Sequence, residues 1–144
     1  MRVNKFVLDT NVYISYFINQ KQNDLFNIIK NNNIIIYSCD ELFIELIRVF
    51  NYEHLKPYKV NVTNAIKSIK AISIYTKLNY PIKNYIPNDN ADNYIIALAL
   101  QTNSGFVTSG DKHILSQKSS LENKFKKLKI ITKSQFEKMM IKNL

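Results

Sequence analysis

The chain has 144 residues, 46% of them hydrophobic, enough for one domain of ordinary size with a real core. Its 20 Lys and Arg against 11 Asp and Glu leave a formal charge of +9, which favours a polyanionic partner such as RNA or DNA, although a codon bias that over-uses Asn, Ile, Lys and Tyr gives the same excess. The lone Cys39 excludes an internal disulfide and suits a reducing cytosol, and no stretch is apolar for long enough to span a bilayer, so the sequence reads as a soluble, cytoplasmic protein without a membrane partner.

Phe6-Val7-Leu8 is an apolar run suited to a strand covered on both faces, and Asp9-Thr10-Asn11 follows it directly. Helical spacing then runs to about Ile18, and Asp24 to Ile29 makes a second short amphipathic helix. Ile34–Tyr37 is a β-branched strand, and Ser38 with Glu41 has capping-box form ahead of a helix reaching about Phe50. Pro57 stops any continuous helix across the next stretch. Thr63 is positioned to cap a helix with Ala65, Ile66, Ile69 and Ile72 on its inner face, and Ser73 to Leu78 alternates like a strand. Pro81 and Pro87 bracket a loop ending at Asn88-Asp89, beyond which Ala91 to Leu100 is a buried helix. Phe106–Ser109 and Lys129–Ile131 are strands, and Thr132 with Gln135 caps a last helix to about Ile141. Strands alternating with helices predict a parallel sheet with helices on both sides.

Acids are scarce in this basic chain, so those beside apolar runs need a reason. Asp9 ends the first strand, Asp111 follows the Phe106–Ser109 strand after the permissive Gly110, and Asp89 and Asp92 stand at the start of the buried helix. Glu45 lies one turn inside the helix after the second strand. If these strands are parallel neighbours, the acids gather at one sheet edge, where ligands bind in such folds. Clustered carboxylates repel and titrate together unless a divalent cation neutralises them. All-oxygen ligands favour Mg²⁺ or Mn²⁺ over Zn²⁺, and an acidic pocket in a basic exterior describes a phosphodiester-cleaving site.

The order VLDTNVYIS, ELFIELIRVF, NDNADNYIIALA, FVTSGDKHIL, closing with KIITKSQFEKM, resembles the PIN-domain family across nearly the whole chain, and most of all its prokaryotic members that act as toxin components of toxin–antitoxin pairs. The resemblance implies a single PIN-like nuclease domain over residues 1–144, folded as a three-layer α/β/α sandwich with a mainly parallel central sheet. It implies a metal-dependent ribonuclease that hydrolyses RNA phosphodiester bonds with Mg²⁺ or Mn²⁺, an antitoxin as protein partner, and a homodimer as a common state. The family's acids fall on Asp9, Glu45, Asp92 and Asp111, with Asp9, Asp92 and Asp111 as metal ligands and Asp89 auxiliary. Asn11 matches the polar position beside the first acid, and Ser109 stands where Thr is usual. His113 stands where a further acid is frequent, a departure that points toward a weaker or one-metal site.

Each residue also has a plainer reading. Asp9 and Asp89 suit helix N-caps, Asp111 a turn beside Gly110, and Glu45 a surface acid opposite Arg48. Lys112 and His113 are candidate phosphate contacts, while Lys124, Lys126, Lys127 and Lys129 form a basic run that tracks an RNA backbone or is merely solvated. Glu122 reads as a solvated acid and Cys39 as inert. Two other functions fit the pattern: a non-catalytic RNA-binding or scaffolding PIN domain, and a receiver-like phosphoacceptor. The second is disfavoured by an Asp9 that has no acidic neighbour.

Overall fold

Short apolar runs set the strands, and the polar residues that end them set where the helices begin. The computed structural model describes residues 3–87 and 92–142. Strand β1 (Asn4–Leu8) buries Phe6, Val7 and Leu8 completely. Helices α1 (Thr10–Ile18) and α2 (Gln22–Asn31) lead to β2 (Ile34–Ser38). Then come α3 (Asp40–Phe50), a 3-10 turn over Glu53–Tyr58, α4 (Val62–Ile72) and the short β3 (Ile74–Tyr75). After α5 (Asn93–Thr102) the chain forms β4 (Phe106–Thr108), α6 (Lys112–Ser116), α7 (Lys118–Lys124), β5 (Lys129–Ile131) and α8 (Lys133–Lys142).

Every strand pair is parallel, and the order across the sheet is β3-β2-β1-β4-β5. Parallel neighbours need crossovers, and the helices that provide them flank the sheet, giving the expected α/β/α sandwich. From β1 the chain winds outward to β2 and β3, then returns to β4 and β5 on the other side. That reversal opens a crevice beyond the C-terminal ends of β1 and β4. It also excludes the receiver-like reading, whose strands follow the order 2-1-3-4-5. The core is centred on β1, where Phe6 stacks on Phe106 at 4.8 Å and meets Phe136 edge-on at 5.2 Å.

The Thr132–Gln135 capping box forms as predicted: Gln135 N–H donates to Thr132 Oγ1 at 3.2 Å, and Thr132 N–H to Gln135 Oε1 at 2.9 Å. The same pattern at Ser38 and Glu41 does not. Pairing with β3 holds Ser38 in β2, its hydroxyl meets Ser73 Oγ at 2.8 Å, and Cys39 takes the cap position without a side-chain bond. At α4 the cap is Asn61 rather than Thr63, since Asn61 Oδ1 accepts from Asn64 N–H at 3.0 Å. The strand expected over Ser73–Leu78 shrinks to Ile74–Tyr75, an exposed edge with β2 alone to pair with. Pro57 is accommodated only in the 3-10 turn, which stops at Tyr58.

Helix α7 has no counterpart in the sequence reading, and it corrects Glu122. This acid accepts from Ile130 N–H at 2.8 Å and from the Lys118 ammonium, with Lys129 Nζ at 4.0 Å. Burial raises its pKa, but those partners outweigh burial and hold it below the usual range. The lysines after it are not one helix face, because α7 ends at Lys124 and Lys129 opens β5.

Candidate active site

Asp9 follows β1 and caps α1 with extended backbone (φ −69°, ψ 160°), its Oδ1 accepting from Thr10 N–H at 2.7 Å. Its own N–H donates to the Thr108 carbonyl at 2.9 Å, so β1 and β4 stay joined up to the acid. Asp111 caps α6, with Oδ1 accepting from His113 N–H at 2.7 Å and Ile114 N–H at 3.3 Å. Asp92 is buried immediately ahead of α5, and Glu45 lies on α3, which packs against α1. The four acids line one cleft of about 170 Å³, together with Thr10, Asn11, Ile14 and Val49.

The two polar neighbours tie the strand ends together. Ser109 Oγ–H donates to Asp9 Oδ2 at 2.7 Å while its oxygen accepts from Asp111 N–H at 3.0 Å. Asn11 Oδ1 accepts from Gly110 N–H at 3.2 Å, pinning the turn between β4 and α6. Lys112 and His113 are exposed and are not part of the cleft lining. Asp89 lies outside the described residues. Glu45 is held by Arg48, whose Nη2 is 2.7 Å from Oε1, so the surface ion pair and the place on the cleft are both real.

Asp9 is 2% exposed, and among the described residues no Lys, Arg or His pairs with it. Burial pushes its carboxyl up to about 6; the Ser109 hydroxyl and Thr10 N–H pull it down, and the Asp111 charge adds to the rise. A buried acid so arranged is costly to ionise unless a cation arrives. The donor set is all oxygen, which suits Mg²⁺ or Mn²⁺. Among the described residues no three acids, histidines or cysteines form a ready-made cation cage.

The PIN domain model matches residues 5–113, which contain β1 from Lys5 onward, α1, α3, α5, β4 and all four acids. The chain belongs to the PIN-domain family. The structure is also similar to that of VapBC2 from Rickettsia felis bound to a DNA fragment from its promoter, with a TM-score of 0.53 and 14% sequence identity, covering 89% of this chain and 98% of that one. At that identity the likeness concerns the fold. No curated protein matches the sequence.

Two contributors to this PIN-domain cleft escape sequence reading. Thr10 Oγ1 lies 3.4 Å from both Asp9 Oδ1 and the Tyr94 hydroxyl, a buried link between α1 and α5. Burial drives the Tyr94 hydroxyl well above its ordinary range, so it stays neutral. Only the position of Thr10 directly after Asp9 hinted at it; Tyr94 gave no signal beyond its apolar setting.

Ser109→Ala is expected to destabilise the fold by about 1–3 kcal/mol at neutral pH, because Asp9 Oδ2 and Asp111 N–H both lose a buried partner. Urea denaturation measures it, and an unchanged midpoint would show that the bridge contributes nothing.

Proposed function

We propose that this PIN domain is a metal-dependent endoribonuclease that hydrolyses RNA phosphodiester bonds, and that it serves as the toxin of a toxin–antitoxin pair in the cytoplasm. The observation that carries the reading is Asp9: a buried carboxylate with no protein cation paired to it among the described residues, on a cleft it shares with Glu45, Asp92 and Asp111 at the switch point of the sheet.

Asp9, Asp92 and Asp111 would hold Mg²⁺ or Mn²⁺. When bound, the cation lowers the pKa of the attacking water and screens charge at phosphorus. Glu45, steadied by Arg48, orients that water or takes its proton. Ser109 keeps the Asp9 carboxylate turned toward Asp111, and Asn11 fixes the turn that carries Asp111. No side chain needs to form a covalent intermediate, and the RNA 2′-hydroxyl is a bystander. The net charge of +9 draws RNA to the surface around the acidic cleft. Support for an antitoxin comes from the VapBC2 likeness and from the family; a segment presenting a basic group to the cleft would compete with the metal.

Mixed cellular RNA incubated with Mn²⁺ is expected to show discrete new ends without cyclic phosphate, and none in EDTA. Cleavage that persists in EDTA would overturn the metal-dependent reading. A non-catalytic RNA-binding PIN domain is favoured by one observation, the pairing of Glu45 with Arg48, which leaves that acid partly neutralised. It predicts RNA binding with no Mn²⁺-dependent cleavage.

A further inference from the structure

At the sheet end opposite the acids, the starts of β1, β4 and β5 surround a second cavity of about 390 Å³. Lys5, Lys127 and Lys129 line it, with Asn103, Gly105 and the half-buried ring of Phe106. Lys5 is the second residue of β1, the strand that Asp9 follows about 13 Å further along. The three ammonium groups have little to neutralise them. Among the described residues Lys5 Nζ donates only to the Thr102 carbonyl, at 3.4 Å, and it sits 5.9 Å from the Tyr37 ring centre. The Lys129 ammonium is 4.0 Å from a Glu122 whose charge Lys118 already meets, and among the described residues Lys127 has no acidic partner. A second hollow of about 220 Å³ adjoins it, sharing Asn103 and Lys127 and adding Lys126 and Phe125. By strand register Lys5 leaves the sheet on the face opposite Phe106 and Lys129, so the lysines flank the hollow from both sides of the sheet end, and like charges around a concave surface raise the potential there and favour a polyanion.

We propose that this basic hollow is an RNA-backbone site remote from the cleft, where phosphodiester groups of a long substrate strand rest on Lys5, Lys127 and Lys129. The site deepens the nuclease reading by naming what holds the uncut part of the strand. Ammonium groups supply point charges without base recognition, so the contact is sequence-tolerant, and Phe106 offers a ring edge beside them. Its effect is on affinity for long RNA, because a strand too short to reach around the domain cannot occupy both places.

The test measures binding, by fluorescence anisotropy in EDTA, of a labelled single-stranded 20-nucleotide RNA across about 50 to 200 mM salt. The variants are Lys5→Gln/Lys127→Gln/Lys129→Gln and, because Lys5 is half-buried, the double Lys127→Gln/Lys129→Gln. Each lost phosphate contact lowers the salt slope by roughly 0.7, so the triple variant should lose about two units and the double about 1.4. Over that salt range the wild type should then weaken roughly 18-fold more than the triple variant. Cleavage of a six-nucleotide RNA with Mn²⁺ should be unchanged in the double variant. Slopes that stay at the wild-type value in a double variant of unaltered melting temperature overturn the proposal. So does saturable uptake of inorganic phosphate with no change in RNA slope, which assigns the hollow to a free anion. If the wild type cuts no RNA yet its slope falls with the lysines, the nuclease reading fails and this site stands.

Discussion

Asp9→Asn should remove RNA cleavage and, at neutral pH, make the protein more stable. The carboxylate is buried and its pKa is raised to about 6 from 3.8, chiefly by desolvation. A folded-state pKa above the unfolded value means the folded chain binds the proton more tightly. The favourable contribution is complete below about pH 4 and is lost as pH rises through about 6. Above that range ionised Asp9 costs the fold about 3 kcal/mol. An amide carries no such cost. Its oxygen still accepts from Thr10 N–H, and its nitrogen, facing Ser109, reverses that hydrogen bond by donating to the hydroxyl oxygen. Urea denaturation at about pH 8 should show the variant more stable by up to about 3 kcal/mol, with no difference at about pH 3.5. Cleavage with Mn²⁺ should fall roughly 10³-fold or more, the equivalent of several kcal/mol of lost charge stabilisation. Mn²⁺ should raise the melting temperature of the wild type and leave that of the variant where it was. Full cleavage by Asp9→Asn would refute the assignment of this acid.

Phe6→Ala should have the largest effect on stability. Phe6 is fully buried at the centre of β1, between the rings of Phe106 and Phe136. Truncation removes its burial and both ring contacts, leaving a cavity between the sheet and α8, at about 3–5 kcal/mol. For a chain of this size the melting temperature should drop roughly 10–15 °C. The consequence reaches the cleft, because Phe6 and Asp9 belong to the same strand and its exit. Mn²⁺, binding the folded form, should recover part of the loss. Recovery without metal, or a melting temperature within about 2 °C of the wild type, would show that the aromatic cluster does not hold β1 in place.

The sequence alone determined the alternation of strands and helices and the apolar β1, because those signals depend on neighbours within a few residues. The Thr132–Gln135 box is of that kind, since donor and acceptor are three residues apart. Family membership was equally legible in four short motifs in order, and the family model covers the first three and the fourth as far as His113. The same local logic misread Ser38 and Glu41, where pairing with distant Tyr75 keeps Ser38 in the sheet. Glu122 was misread for the same reason, since its Ile130 partner belongs to another element.

What only the tertiary structure decided is which distant groups meet. Asp9 and Asp111 are neighbours because β1 and β4 are paired, although a hundred residues separate them, and Ser109 spans the gap. Whether Glu45 faced the cleft or Arg48 depended on how α3 packs on α1, and it does both. The raised pKa of Asp9 exists because the five-stranded parallel sheet and its covering helices exclude water from its carboxylate. Burial and Coulomb energy depend on distance in space, and no local pattern of residues encodes that distance.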